Sequence, residues 1–304
     1  MITYALKLDE ENSRPVVDRE ILKYRRGSGG QPWHFLDFSR GTGQAVTNEM
    51  DSVQDEKELQ REPQTLKSPD ILAIKGLAQF ERFPAAVVLG NLIENWHLSD
   101  FLTSAARVPN RRLGMRSTLS REGENLSLVV EYLQEQHPKV FDAILKRLAN
   151  RIPGIKSVES KVTEEGRVLL KFQDGSFEDP FLARYVSDGT IKMLAYLVLL
   201  LDSKPHPLLC VEEPENQLYP ALLTELAEEF RSYASRGGQV FVSTHSPDFL
   251  NAVEVDEAFW LVKTNGYTTI KRSKDEAQVV RYMEDGDKLG YLWRQGLFDG
   301  ADPR

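Results

Sequence analysis

Hydrophobic positions change their spacing along this chain, and each change marks a region. Residues 1–8 alternate apolar and polar, and Ile21–Tyr24 and Trp33–Phe38 repeat the pattern on either side of the turn-rich Arg26-Gly27-Ser28-Gly29-Gly30. Alternation broken by glycine predicts short strands joined by turns, so residues 1–45 read as an antiparallel β region. Residues 46–70 are polar and charged, carry Pro63 and Pro69, and read as a linker or exposed loop. From Pro69 to Ala106 apolar residues recur at three and four: Ile71, Leu72, Ile74, Leu77, then Val87, Leu89, Leu92, Ile93 and Trp96. Asn125–Ala149 does the same with Leu126, Val129, Leu133, Phe141, Ile144 and Leu148. That spacing predicts helices, and residues 71–151 read as a helical subdomain.

Residues 152–272 read as an α/β core. Val158–Val162 and Val168–Phe172, joined by Thr163-Glu164-Glu165-Gly166-Arg167, predict a β-hairpin. Beyond Phe181 helix and strand alternate. Helices are expected over 188–202, 220–234 and 247–252, with strands at Leu208–Val211, Gln239–Ser243 and Ala258–Val262. The strands are short continuous apolar runs, as in a largely parallel sheet covered on both faces. Asn265-Gly266 predicts a hairpin turn into Tyr267–Arg272. Residues 273–304 read as a docking tail, whose Leu289-Gly290-Tyr291-Leu292-Trp293 and Leu297-Phe298 supply apolar contacts.

Composition narrows the class. The 304 residues are 41% hydrophobic and 28% charged, ordinary for a globular protein with a sizeable core. A net charge of −8 argues against a protein that coats nucleic acid, and the basic pairs Arg25-Arg26 and Arg111-Arg112 read as solvated surface. The lone Cys210 excludes an internal disulfide and a Cys-rich zinc site, and its apolar setting predicts a small buried core residue. Residues 1–10 do not form a signal peptide, and the longest apolar run, Met193–Leu201, is too short for a bilayer. A cytoplasmic protein with no membrane partner is expected.

The candidate chemistry lies at strand ends. The apolar strand Leu208-Leu209-Cys210-Val211 delivers Glu212 and Glu213, followed by Pro214-Glu215, to the carboxyl edge of the sheet, where open α/β sheets bind ligands. One carboxylate there can hold Mg²⁺, and its neighbour can orient an attacking water. About thirty residues on, one crossover length for parallel strands, the second strand ends in Ser243-Thr244-His245-Ser246-Pro247 and brings His245 to the same edge. Val186-Ser187-Asp188-Gly189-Thr190 opens an apolar helix. Ser187 suits an N-cap, Gly189 permits close approach, and the free N–H groups of a helix start attract phosphate. The alternative for each is an ordinary capped helix or a solvated loop.

In this order and spacing the segments resemble the heads of ABC-class ATPases of the SMC/RecF kind, the branch often described as AAA-type. The resemblance spans roughly residues 181–262. Ser187-Asp188-Gly189 stands as the signature, and Leu208–Val211 with Glu212 and Glu213 as Walker B. Pro214-Glu215-Asn216-Gln217-Leu218-Tyr219-Pro220 stands as the D-loop, and Ser243–Pro247 as the His switch. Glu212 replaces the more usual Asp, and Tyr219 the more usual His. The resemblance implies a P-loop NTPase-like α/β fold with a mostly parallel sheet, an N-terminal antiparallel β region and a helical subdomain. It implies ATP and Mg²⁺ as cofactors, Glu212 as the metal carboxylate, Glu213 as catalytic base and His245 as γ-phosphate sensor. Ser187, Asp188 and Gly189 would act on the nucleotide of a partner head, in a homodimer or with a different partner. Relatives working in DNA repair or phage defence make DNA or a nuclease an expected partner.

Such a head also needs Gly-x-x-x-x-Gly-Lys-Ser/Thr. No Gly-Lys dipeptide occurs in this sequence, and Gly27-Ser28-Gly29-Gly30 and Gly41-Thr42-Gly43 read as turns. The expectation is that the Walker A segment is absent from the chain, that the chain alone binds ATP weakly, and that ATP hydrolysis belongs to the complete protein. Two alternatives stand beside this reading. One is a non-catalytic regulatory or interaction module that keeps the head fold and dimer face. The other is a metal-dependent nuclease using Glu212, Glu213 and Glu215, disfavoured because only a short tail follows the last strand.

Overall fold

The computed structural model describes residues 2–25, 30–49, 53–112, 114, 117–202 and 204–301. Arg26 and Gly27–Gly29 of the expected glycine-rich turn and basic pair lie outside the described residues. The chain divides into two compact units, residues 1–96 and 97–304.

The first unit is a five-stranded antiparallel meander in sequential order. Its strands are β1 (Ile2–Glu11), β2 (Arg14–Tyr24), β3 (Trp33–Ser39), β4 (Thr42–Val46) and β5 (Arg61–Thr65). Two helices follow, α1 (Ala73–Leu77) and α2 (Pro84–Glu94). The segment 46–70, expected as a linker, contributes β5, which pairs with β4 from Thr42↔Thr65 to Val46↔Arg61. Its polar sequence hid the strand because the side chains of Arg61–Thr65 are half-buried or exposed. Gly41 takes positive φ in the β3–β4 turn, as its sequence suggests, whereas Gly43, also read as a turn, lies within β4 opposite Phe38. Leu22, Leu36, Phe38 and Ala45 of the sheet close over Ala73, Ile74, Leu77 and Phe83 to form the core.

The second unit begins with β6 (His97–Ser99), α3 (Thr103–Ala106) and β7 (Asn110–Arg111). Next come α4 (Leu126–Gln136), α5 (Pro138–Arg151), β8 (Ile155–Val162), β9 (Arg167–Asp174) and β10 (Phe181–Leu182). The motif-bearing stretch holds α6 (Asp188–Leu200), β11 (Leu208–Glu212), α7 (Ala221–Ser235), β12 (Gln239–Ser243) and α8 (Pro247–Leu250). A hairpin of β13 (Phe259–Thr264) and β14 (Tyr267–Arg272), then α9 (Ala277–Glu284) and α10 (Leu289–Arg294), complete it. The expected helical region 71–151 is therefore divided: α1 and α2 belong to the first unit, and β6 joins the parallel sheet of the second. Pro138 splits the second helical stretch, since proline fits the first turn of α5 but not the interior of a continuous helix.

The parallel sheet has the order β12-β11-β6. Leu209 and Val211 point into the main core, which is built around α6 and flanked by α4, α5 and α7. Burial of α6 is nearly complete, from Thr190 through Leu200. Cys210, expected in the core, is half-buried, because it alternates with the buried Leu209 and Val211 and lies on the strand face shared with half-buried Leu208 and exposed Glu212. The strand expected at 258–262 pairs with β14 alone instead of extending the parallel sheet, and Asn265 and Gly266 both take positive φ in its turn. The tail packs on this hairpin: Trp260 stacks on Phe298 at 4.8 Å, with Val279, Leu289 and Leu292 buried around them. Among the described residues no helix is long and apolar enough to cross a membrane.

Candidate functional site at the carboxyl edge of the parallel sheet

β11 and β12 run parallel in register, with Glu212 opposite Ser243, so both strand ends emerge on one edge. Glu213 is the first residue beyond β11. Its φ of 39° is left-handed, a conformation a glutamate holds only when its surroundings fix it. Two contacts do so. The Glu213 N–H donates to Ser243 O at 3.0 Å, and the Lys192 ammonium donates to Glu213 O at 3.4 Å. The turn aims the carboxylate at two partners: Asn216 Nδ2 donates to Oε2 at 2.7 Å, and His245 Nε2 lies 3.7 Å from Oε1. The His245 side chain is 83% exposed, so its ring is open to a ligand and its attraction to Glu213 is screened.

Glu215 organises the His loop. Its Oε1 accepts from Thr244 Oγ1 at 2.7 Å and from the His245 N–H at 2.9 Å, while its buried Oε2 has no hydrogen-bond partner among the described residues. Ser246 then caps α8 by accepting from the Phe249 N–H. The Glu212 side chain is exposed and makes no hydrogen bond or ion pair among the described residues. No group of three or more metal-ligating side chains occurs among the described residues. A single free carboxylate fits Mg²⁺, which keeps several waters and takes one or two protein carboxylates beside phosphate oxygens.

The signature segment lies against the D-loop. Ser187 caps α6 by accepting from the Thr190 N–H at 3.3 Å. A Cβ on Gly189 would sit 3.0 Å from Gln217 O, so glycine permits this approach. Thr103 Oγ1 bridges the two segments, donating to Asp188 Oδ1 at 2.8 Å with Gln217 Oε1 at 3.3 Å. Arg107 pairs with Asp188 Oδ1 at 2.8 Å and also donates to Val186 O. The carboxylate of Asp188 is thus engaged in positioning the loop, and the Ser187 hydroxyl is engaged with the N–H and hydroxyl of Thr190. Of the basic pair Arg111-Arg112, Arg112 is held by Glu131 and Glu135.

Lys192 escaped the sequence reading. It is 3% exposed, one turn into α6, and burial lowers its pKa against the opposing pull of Glu215, Asp100 and Glu213. Its ammonium also lies 5.9 Å from the Tyr196 ring centroid. The available signal was a lone lysine between Ile191 and Met193 in an otherwise apolar helix. Thr103 and Arg107 carried no signal, because only the fold brings them to Asp188.

Solved structures with a similar arrangement are distant. A Smc head bound to the C-terminal winged-helix domain of ScpA is 11% identical, with 86% of this chain and 76% of that chain covered at a TM-score of 0.41. The SMC head domain of Thermotoga maritima is 10% identical over 84% of this chain and 74% of that one, at a TM-score of 0.37. A Smc head with coiled coil and joint from Pyrococcus yayanosii is 15% identical over 52% of this chain and 33% of that one, at a TM-score of 0.37. No protein of curated function matches the sequence. The family described as "AAA domain, putative AbiEii toxin, Type IV TA system" matches residues 49–251, about two thirds of the chain and all of the site just described. The chain belongs to this AAA-domain family.

Proposed function

We propose that the chain supplies the hydrolytic and signature half of an ATP-hydrolysing head that works across a head–head interface. The observation that carries this reading is the convergence of Glu213, His245 and the Glu215-braced loop on one sheet edge. Glu213 is held by Asn216 with its other oxygen facing His245, a geometry suited to orienting a water and accepting its proton. His245 is free to hydrogen-bond a phosphate oxygen or that water. Glu212 is the carboxylate available to Mg²⁺, which when bound supplies charge neutralisation on the phosphate oxygens. Ser187 and Gly189, at the start of α6, would cap the nucleotide of an opposing head, through hydroxyl and backbone N–H donors.

A second reading, a non-catalytic module with the same dimer face, is favoured by one fact: none of the 304 residues forms Gly-Lys-Ser/Thr. Charge-assisted bonds to phosphate are worth about 1.5–3 kcal/mol each, so the chain by itself should bind ATP weakly. We propose likewise that the chain works with a dimer partner, and with DNA or a nuclease, in DNA repair or phage defence.

The two readings separate in one experiment. The chain is mixed with a head of this family that carries Walker A, and ATPase is measured for wild type, Glu213→Gln and Ser187→Arg. The hydrolytic reading expects stimulation that Ser187→Arg abolishes and that Glu213→Gln reduces about 100-fold. Stimulation lost only with Ser187→Arg supports the non-catalytic module. No stimulation at all defeats both.

A further inference from the structure

A group of buried polar side chains gathers beneath the carboxyl edge, where α6 begins and β6 and β11 end. Lys192 and Tyr196 lie one turn apart on α6 and share a face. Ser99, the last residue of β6, pairs with Val211 and points to the same core side. Phe101, two residues on, packs its ring 5.0 Å from that of Tyr196, which brings the end of β6 to the same place. Three atoms here are buried and have no hydrogen-bond partner among the described residues: Ser99 Oγ, the Tyr196 hydroxyl oxygen and Glu215 Oε2.

The Lys192 ammonium is also under-used. Among the described residues it makes one hydrogen bond, to Glu213 O at 3.4 Å, and no direct ion pair. An ammonium carries three donors, so two are left over. Burial lowers its pKa, and of the carboxylates that oppose this Glu215 comes first, then Asp100 and Glu213. Burial, then Glu215 and Asp100, raises that of Tyr196. Lys192 and Tyr196 therefore face the same carboxylates. Buried polar atoms are nearly always bonded, and a polar contact too long for a direct bond is commonly bridged by water. The groups suit water: Lys192 only donates, Glu215 Oε2 only accepts, and the two hydroxyls do either.

We propose that Lys192 and Glu215 form a water-bridged pair, closed by Tyr196 and Ser99, and that this pair ties the Glu213 turn to the His245 loop. Lys192 holds the turn through the Glu213 carbonyl, and Glu215 holds the loop through Thr244 and the His245 N–H. The 3.7 Å between Glu213 Oε1 and His245 Nε2 is then set from beneath, not by their own screened attraction. Both members are positioning residues. Their use in hydrolysis rests on the nucleotide reading above; the coupling of turn to loop does not.

Amide hydrogen exchange on the full chain, without nucleotide, tests the coupling. Glu215→Gln keeps an oxygen for Thr244 and His245 and puts an NH2, which cannot accept, where Oε2 was. Lys192→Met keeps the volume and removes the donors. The expected result is reciprocal. Lys192→Met speeds exchange about tenfold at the His245 amide, and Glu215→Gln does so at the Glu213 amide. The double variant should be no faster than the faster single one, since the pair acts as a unit. Exchange at Leu197 and Leu199, further along α6, should not change. Nuclear Overhauser contacts should join a long-lived water to the Tyr196 ring and Ser99 Cβ protons. Effects confined to the amide that each residue itself holds, additive effects in the double variant, faster exchange at Leu197 and Leu199, or absent water contacts would each overturn the proposal. Mixed with a head that carries Walker A, both single variants should lower kcat about tenfold at unchanged KM. Reciprocal exchange with no ATPase in the wild-type mixture would defeat the nucleotide reading and leave the pair standing. ATPase without reciprocal exchange would do the reverse.

Discussion

Glu20 in the first unit and Glu213 in the second are both held at defined places, yet their surroundings differ. Glu20 is 0% exposed, and its oxygens accept from the Ala73 N–H at 2.5 Å, the Ile74 N–H at 2.9 Å and the Tyr4 hydroxyl at 2.9 Å. It caps α1 from a strand more than fifty residues away, where Leu72 at the N-cap position offers no side-chain bond. Burial and the charge of Glu20 together raise the Tyr4 pKa, which keeps that hydroxyl a donor. Glu213 is satisfied on its backbone and on one oxygen, while the other faces an exposed histidine. A carboxylate with both oxygens occupied serves the fold, and one pinned with an oxygen left over can serve chemistry. The first unit holds the former and none of the motif residues; the second holds the latter.

The largest expected effect breaks the structural half of this contrast. Glu20→Ala leaves two helix-start N–H groups and a buried tyrosine without their acceptor, and should lower the unfolding free energy by about 3 kcal/mol in urea titration. A change under 1 kcal/mol would show that Glu20 is not the cap. Lys192 comes next. Lys192→Ala opens a hole beside Tyr196 and should lose about 2 kcal/mol. Lys192→Met fills the space without the charge and should stay within about 1 kcal/mol of wild type, since a buried ion often exchanges neutrally for a well-packed hydrophobe. Both variants should speed hydrogen exchange at the Glu213 amide; unchanged exchange would mean that the ammonium does not anchor the turn.

A pH effect follows from the opposite edge of the parallel sheet. His97 stacks on His206 at 4.7 Å, and burial, then the charge of His206, lowers its pKa from 6.5 to about 4. The unfolded chain therefore binds the extra proton between those values, so this stability is present above pH 6.5 and lost as pH falls toward 4. Wild type should lose a few degrees more of melting temperature between pH 7 and 4.5 than His97→Phe. Parallel pH profiles would contradict the assignment. The smallest effect is at the signature. Gly189→Ala meets the Gln217 carbonyl at 3.0 Å, a contact that a slight shift relieves, and stability should move by less than about 0.5 kcal/mol. A larger loss would mean that the signature and D-loop are locked together more rigidly than Glu213 and His245.

Much of the site was legible because its signals are local. A buried strand followed by acids, a second strand followed by His245, and Ser187 before an apolar helix each declare themselves within a few residues. Other features depend on distant neighbours. The strand at Arg61–Thr65 carries no apolar alternation and exists because β4 pairs with it. Lys192 matters only because β11 ends beside α6, and Asp188 is occupied because Thr103 and Arg107 arrive from another segment. Cys210 reads as core in any apolar run, and its half-exposure follows from its side of β11, opposite the core-facing Leu209 and Val211.

The sequence by itself determined most of the elements, the family-type motifs and the lack of any Gly-Lys-Ser/Thr, since period, caps and residue identity are properties of neighbours along the chain. The tertiary structure decided which carboxylates are held by partners, and that β6 belongs with β11 and β12. Those outcomes depend on pairing and packing between residues far apart in the chain, which no local pattern records.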